Sequence, residues 1–332
     1  GVVDPRLSGL RVVDCKQLVA DRDRVGSAVG ERWSEVQKRV RAASPYGHLP
    51  HWRLIQLIVK SKDDVRQEQF ATQLITLFSQ IFRKADLPLW LRPYQVLSTT
   101  MDAGLIEMVP DTTSLHGLKK QMLSTVQQQR ARGDTPQSAT PTLSDWFEDK
   151  FGGDPTGQSL AEAKRRYAQS LAAYAVVCHL MQIKDRHNGN ILVEQTGRMV
   201  HIDFGFMLTN SPGMINFEKA AFKLSREMVD VMGGQQSQMY RDFVRWSVAG
   251  FLEARAHARQ ILMLVEITLA GQPDLPCFDG KNVLEDLQER FKLKMSKAQA
   301  AEHFKGLVGE AFDNWFTRQY DKFQRLTNGI LE

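Results

Sequence analysis

The chain has 332 residues, of which 42% are apolar and 24% charged, the balance of a soluble globular protein long enough for two lobes or domains around a large core. Its net charge of +5 suits an anionic membrane surface or a phosphate ligand and does not by itself require nucleic acid. Cys15, Cys178 and Cys277 lie too far apart for a metal motif or a disulfide framework, no signal peptide is visible at the start, and the longest apolar run, Ile261–Ala270, is too short to span a bilayer and contains Glu266. A reducing cytosolic setting with peripheral membrane contact is therefore expected.

In chain order, residues 1–30 show no clear period; Val12-Val13 could form a short strand and Asp21–Arg24 is a solvated charge cluster. Trp33–Ala43 reads as a short helix, and Pro45, Gly47 and Pro50 make Ser44–Leu54 an irregular loop. Leu54–Lys60 reads as a strand, followed by a helix from about Val65 to Ala85 that Asp63 and Asp64 can cap. Phe70, Leu74, Leu77, Phe78, Ile81 and Phe82 give that helix one apolar face, and Glu68 lies in its first turn. A strand ending in Lys60 before a helix carrying Glu68 is the arrangement in which a lysine grips nucleotide phosphates and a helix glutamate orients it by a salt bridge. Tyr94–Thr100 and Leu105–Val109 read as two strands joined through Asp102-Ala103-Gly104, with Pro110 ending the pairing.

Thr112–Gln129 reads as a helix, Arg130–Thr142 as a surface loop and Phe151–Gln158 as a glycine-rich link, so a mobile insertion is expected over about 130–158. Leu160–Gln182 is a long helix, apolar on nearly all sides over Leu171–Leu180, and hence buried in the larger lobe. The stretch Ile183–Leu208, IKDRHNGNILVEQTGRMVHIDFGFML, carries the chemistry. Ile191–Glu194 and Met199–Ile202 read as strands of a hairpin turning at Gln195–Arg198, which brings Asn190 and Asp203 to one end. Asp185 precedes Asn190 by the spacing of the kinase catalytic loop, and Asp203-Phe204-Gly205 matches the D-F-G that holds a divalent ion. A lone D-F-G carries little; three elements at matching spacing around one hairpin carry much more. Thr209–Leu224 then corresponds to an activation segment, and the chain from about Gln236 is mostly helical.

The inverted order Asp185-Arg186-His187 marks phosphoinositide kinases and their relatives, which Ile183–Leu208 closely resembles. SPYGHLPHWRL (44–54) and SKDDVRQE (61–68) resemble the equivalent stretches of type III phosphatidylinositol 4-kinases of the beta class. FKLSREMVDVMGG (222–234) resembles that family's F-K-L-T-x-E-F-V-D-V-M-G-G element, with Ser225 for Thr and Met228 for Phe. The resemblance runs from about Trp33 to Leu331. It implies an α+β, two-lobed protein-kinase-like fold: a small antiparallel-sheet lobe and hinge over 33–109, and a larger, mainly helical lobe over 110–332. Residues 1–32 would be a divergent N-terminal segment or part of an incomplete small lobe, and the lack of a glycine-rich loop before Lys60 is common among related lipid kinases.

The resemblance also implies roles. Ile106 would be the gatekeeper, and Glu107–Val109 the hinge, where ATP's adenine bonds main-chain groups of Glu107 and Val109. Ile58, Lys60, Glu68, Tyr94, Leu192 and Ile202 would complete the nucleotide site. Asn190 and Asp203 would hold Mg2+, with Mn2+ as a substitute, through the oxygen atoms a hard cation prefers. Asp185 matches the kinase base by spacing, His187 has the better unperturbed pKa, and the sequence does not rank them. Arg186 reads equally as an ion-pair partner or a phosphate ligand, and Lys219 and Lys223 would meet the substrate headgroup.

The implied activity is ATP-dependent phosphorylation of phosphatidylinositol at its 4-hydroxyl, by a monomer with no nucleic-acid partner, peripheral on intracellular membranes such as the Golgi and recruited by an adaptor or small GTPase. Phe312, Trp315, Phe316, Tyr320 and Phe323, with Arg318, Lys322 and Arg325 among them, suggest a C-terminal helix that meets the membrane. The alternatives are an atypical protein kinase of the related large class, against which Asn188 and SPYGHLPHW stand, and a catalytically silent scaffold, against which Lys60, Asp185, Asn190 and Asp203 stand.

Overall fold

The computed structural model describes residues 31–135, 140–212, 220–280 and 282–332, and the chain divides into two units, Gly1–Leu54 and Ile55–Glu332. Val12-Val13, Cys15, Asp21–Arg24 and Lys219 lie outside the described residues. In the first unit, α1 (Trp33–Ala43) falls where the sequence places it. The turn after it is closed by Arg41, whose Nε donates to the Gly47 carbonyl at 2.8 Å and whose guanidinium lies over the Trp52 ring at 5.9 Å. Gly47 is required there by close approach, since a Cβ would sit 1.9 Å from the Arg41 carbonyl oxygen.

The second unit opens with a three-stranded antiparallel sheet in the order β1-β3-β2, formed by β1 (Leu57–Ser61), β2 (Val96–Thr100) and β3 (Ala103–Glu107). Ile106 in the central strand is paired with Ile58 on one side and Val96 on the other. α2 (Arg66–Lys84) packs on β2 through a face that buries Phe70, Leu74, Phe78, Ile81 and Phe82 of the expected set together with Ile75, while Leu77 is half-buried. Burying each such side chain stabilises the fold by roughly 1.5–3 kcal/mol. Its start differs slightly from expectation. Val65 is the N-cap and caps nothing with its side chain, while the Asp64 carboxylate accepts from the Arg66 N–H at 3.0 Å.

A second three-stranded sheet, β4-β5-β6, consists of β4 (Thr112–Ser114), β5 (Ile191–Glu194) and β6 (Met199–His201). β5 and β6 form the expected hairpin, with Gly197 at φ 92 in its turn. The helix expected from Thr112 starts later: Thr112–Ser114 pairs with β5, and α3 (Leu115–Ala131) follows with Ser114 as its N-cap.

The larger lobe comprises α3, α4 (Leu143–Phe151), α5 (Gln158–Met181), α6 (Arg226–Val231), α7 (Gln238–Ala256), α8 (Ala258–Gly271), α9 (Val283–Arg290), α10 (Lys297–Ala311) and α11 (Trp315–Asn328). Every residue of α5 from Ser170 to Met181 is buried, which explains its lack of a polar face; α7 is the helix it packs against most extensively. The expected mobile insertion over 130–158 is corrected by α4. Thr142 and Asp145 form a capping box, and Leu143, Trp146 and Phe147 recur at helical spacing and are buried, Phe147 against Tyr167 of α5 at 5.3 Å.

His179 is a titratable group buried in the core against two aromatic rings. Burial between Phe251 and Phe304 pushes the His179 imidazole down to about 3, and neither ring nitrogen has a hydrogen-bond partner among the described residues. The unfolded chain binds this proton more tightly than the folded one. The resulting stability is present above the ordinary value of 6.5 and lost as pH falls toward 3, at up to about 1.4 kcal/mol per pH unit. His179→Leu is expected to flatten the fall of the urea-unfolding free energy between about pH 6.5 and pH 4; the buried His201, also held low by desolvation, retains part of the slope. Equal slopes for variant and wild type would contradict the apolar burial of a neutral imidazole.

Candidate active site

α5 ends because Gln182 turns left-handed at φ 48, and the chain runs through 183–190 into the β5-β6 hairpin. Asn190 stands before β5 and Asp203 after β6. The Ile202 N–H donates to the Asn190 carbonyl at 3.1 Å, so the two candidate metal ligands sit side by side at one end of the hairpin. The Asn190 amide nitrogen donates to the Asp185 carbonyl at 3.0 Å and reaches its Oδ2 at 3.4 Å, which leaves the amide oxygen as the donor atom for a cation. Asp203 is exposed, with Oδ1 accepting from the Gly205 N–H at 3.4 Å. Asp185 and Asp203 both adopt left-handed backbone, at φ 59 and φ 60, at a cost of about 1–2 kcal/mol each that the surroundings must offset.

Arg186 supplies the offset. Its buried guanidinium donates to the carbonyls of Lys184 (2.8 Å), Ile202 (2.8 Å), Asn190 (3.5 Å) and Asp203, and lies over the Phe204 ring at 5.6 Å. The sequence offers ion pairing or phosphate binding for this residue; here its donors tie both flanks of the site together through main-chain oxygens. His187 accepts the Gly189 N–H at Nδ1 (3.0 Å), and its Nε2 lies 3.7 Å from Asp185 Oδ1. Burial pushes its pKa down against the pull of Asp185, and protonating Nδ1 would lose the Gly189 bond. The imidazole is therefore neutral, with its hydrogen on Nε2 toward Asp185.

On the small-lobe side the expected Lys60–Glu68 salt bridge gives way to other partners. Lys60 Nζ pairs with Asp63 at 3.0 Å, and that carboxylate is the main cause of its raised pKa. The Glu68 carboxylate accepts the Tyr94 hydroxyl at 2.6 Å, and burial raises its pKa. A phenol already bonded to a half-buried carboxylate leaves the lysine, on an exposed strand, to its nearest solvent-side acid. Glu68 and Asp203 both contribute to the field at Lys60, so the three groups remain one electrostatic cluster. Gln67 was not foreseen: its amide donates to the Phe204 carbonyl at 2.8 Å, while the Tyr94 ring stacks on Phe204 at 6.2 Å. A buried glutamine at helical spacing among apolar residues was the available signal.

At the hinge, Ile106 and Val109 are buried. The Glu107 N–H donates to the Gln95 carbonyl at 2.8 Å, while its carboxylate takes the Gln95 N–H at 2.8 Å and the Arg92 guanidinium at 2.7 Å. The Met108 N–H is used by Gln56. Ile58 is exposed on β1, and Leu192 and Ile202 are half-buried.

The opposite flank is closed by α11. The Tyr320 hydroxyl donates to Asp185 Oδ1, and Gln324 donates to Tyr320 at 2.8 Å. Lys223, expected to face a substrate headgroup, is instead buried between Asp321 and Asn188. Tyr320, expected among aromatics of a membrane-facing helix, is buried on the inner side, whereas Trp315, Phe323, Arg318, Lys322 and Arg325 are exposed. No helix among the described residues is long and apolar enough to cross a membrane.

A small antiparallel-sheet lobe hinged to a larger helical lobe, with an Asp-x-x-x-x-Asn loop and an Asp-Phe-Gly turn meeting at one hairpin end, defines a two-lobed, kinase-like fold. The sequence model of the phosphatidylinositol 3- and 4-kinase family matches residues 54–277, and the chain belongs to that family. It is 43% identical over 318 residues to a phosphatidylinositol 4-kinase of Dictyostelium discoideum, an alignment covering 96% of this chain and 26% of that protein. Phosphatidylinositol 4-kinase beta 1 of Arabidopsis thaliana is 43% identical over 307 residues (91% of this chain, 26% of the relative), and phosphatidylinositol 4-kinase beta of Sorex araneus 40% over 304 residues (92% and 36%). The chain thus spans between 26% and 36% of the length of these curated relatives.

Arg186→Met removes the donors to these carbonyls and leaves them buried without partners. The variant is expected to lose about 3 kcal/mol of stability in urea unfolding, with the midpoint shifted at constant slope. A wild-type midpoint would mean that water or another side chain serves those oxygens.

Proposed function

We propose that this chain transfers the γ-phosphoryl group of ATP to the 4-hydroxyl of phosphatidylinositol, giving phosphatidylinositol 4-phosphate. The observation that carries this reading is the convergence of Asp185, Asn190 and Asp203 at one hairpin end, within a family whose similar members are named for that activity. Phosphoryl transfer demands positioning and charge neutralisation more than covalent help. Asn190 Oδ1 and the exposed Asp203 carboxylate are oxygen donors suited to Mg2+, with Mn2+ as a substitute; the described residues hold no group of three or more His, Cys, Asp or Glu that would form a full protein cage. Such an ion, when bound, neutralises charge on the nucleotide phosphates.

Lys60 meets nonbridging phosphate oxygens after exchanging Asp63 for them, and Glu68, held by Tyr94, keeps a negative field beside it. The adenine bonds main-chain groups of Glu107 and Val109, whose hinge is stiffened by Arg92 on the Glu107 carboxylate; Ile58, Ile106, Leu192 and Ile202 surround the ring. Between the two candidate bases, Asp185 takes the acceptor's proton. The lone pair of neutral His187 is already used by Gly189, and its Nε2–H steadies Asp185. Phe204–Leu224 contains as basic residues only Lys219 and Lys223, too little charge to welcome an inositol head that already bears phosphates.

The substrate stays in its bilayer, so the site works at a membrane surface, with the exposed edge of α11 as the contact. Trp315, Arg318, Lys322 and Leu326 share one stripe of that helix, with Trp315 55% and Leu326 86% exposed. Intracellular membranes such as the Golgi, with an adaptor or small GTPase as recruiter, are the setting that the sequence resemblance implies.

Asp203→Asn replaces an anionic ligand by a neutral one. It is expected to cut formation of phosphatidylinositol 4-phosphate on the order of 10²-fold or more with melting temperature unchanged. Near-normal turnover by the folded variant would sink the metal assignment, and a different product isomer from the wild type would sink the substrate assignment. Trp315→Ala with Leu326→Ala is expected to weaken sedimentation with phosphatidylinositol vesicles about tenfold, leaving ATP hydrolysis intact; unchanged vesicle binding would move the membrane contact elsewhere.

A further inference from the structure

Of the two activation-segment lysines that a lipid phosphate could be expected to meet, Lys223 lies among the described residues, and its surroundings argue for another role. Its side chain is 4% exposed. Nζ donates to Asp321 Oδ1 of α11 at 2.7 Å and to Asn188 Oδ1 at 3.1 Å. The main chain on either side is fixed. Phe222 stacks on Phe304 of α10 at 6.2 Å, Leu224 bridges to Phe312, and the Leu224 carbonyl accepts the Asp313 N–H at 2.9 Å. The ammonium cannot swing outward without breaking packing on both flanks. An incoming phosphodiester would have to displace the Asp321 carboxylate from a largely buried place and leave that anion without its partner.

Asn188 is the other end of the contact and lies inside the Asp185–Asn190 loop. Its amide nitrogen donates to the Leu331 carbonyl at 3.0 Å, and its own carbonyl accepts the His116 N–H at 3.0 Å. His116 Nδ1 in turn accepts the Leu331 N–H at 2.9 Å. The loop is thereby held from the activation segment, from α3 and from the C-terminal residues, and Lys223 is the charged member of that set. A lysine suits the position because its compact ammonium can divide three donors between oxygens on different elements.

We propose that Lys223 is a positioning residue for phosphoryl transfer: its ammonium, shared between Asn188 and Asp321, holds the Asp185–Asn190 loop against α11, and it is not a ligand of the lipid headgroup. This rests on the kinase reading given above. A headgroup ligand and a positioning residue differ in what their loss changes. Removal of a headgroup ligand raises KM for the lipid and spares ATP hydrolysis. Removal of a positioning residue lowers kcat toward lipid and toward water alike.

The test uses the 332-residue chain, vesicles of phosphatidylinositol in phosphatidylcholine, and parallel assays of lipid phosphorylation and of ATP hydrolysis without lipid. Lys223→Met is expected to lower kcat about tenfold or more in both assays, with KM for phosphatidylinositol within about twofold of wild type. The exchange Lys223→Asp with Asp321→Lys is expected to recover most of the loss that Lys223→Asp alone causes. Asp321→Asn, which keeps the lysine and the shape, covers the case in which Lys223→Met fails to fold, and is expected to lower kcat in both assays without raising KM. A selective rise in lipid KM with ATP hydrolysis intact would overturn the proposal in favour of headgroup binding. So would wild-type kcat in a folded Asp321→Asn variant, or an exchange that restores nothing. A wild-type chain that hydrolyses ATP yet phosphorylates no lipid would overturn the substrate reading instead, and leave the Lys223 proposal to be decided by the hydrolysis assay.

Discussion

The guanidinium of Arg186 is the constraint on which the site depends. A buried cation is costly unless its charge and its donors are met, and here carbonyls at Lys184, Asn190, Ile202 and Asp203 converge on it. Those carbonyls belong to the segment before the hairpin and the segment after it. Arg186 therefore fixes the separation of Asp185 and Asp203, both of which hold left-handed backbone that would relax without such a clamp. Its contact with the Phe204 ring extends the hold to the turn that follows Asp203. A lysine could not reproduce this, because a fork of planar donors is needed to serve oxygens on separate chain segments.

From this centre the coupling runs outward in two directions. Toward the small lobe, Gln67 and Tyr94 both bear on Phe204, one by a hydrogen bond to its carbonyl and one by stacking, and Tyr94 also holds Glu68. A displacement of α2 would thus be felt at Asp203 through contacts that do not involve Lys60. Toward the C-terminus, Tyr320 on Asp185 and Lys223 between Asn188 and Asp321 tie α11 to the Asp185–Asn190 loop. The same helix carries Trp315 and Leu326 on its exposed edge, so one element joins the outer surface to the Asp185–Asn190 loop.

The secondary structure was largely written in local chemistry. The all-apolar run of α5, the one-sided face of α2 and the turn at Gly197 between two short apolar runs are each signals held in a few consecutive residues, and the chain folds accordingly. α4 was legible too, from Thr142, Asp145 and the apolar spacing after them, but it lies between glycine- and proline-rich stretches that drew the reading toward loop. β4 was not, because three residues gain a strand only from the partner they meet, and that partner is β5.

The sequence by itself determined that Asn190 and Asp203 would meet, since they flank one hairpin at the same end, and the five-residue spacing set Asp185 beside Asn190. Only the tertiary structure decided which charge answers which. Lys60 pairs with Asp63 rather than Glu68, Asp185 receives a hydroxyl from a residue 135 positions away, and Lys223 finds Asp321 at a separation of 98. Ionic and hydrogen-bonding partners are chosen by distance and desolvation in the folded chain, and neither quantity has a period that a linear sequence can display.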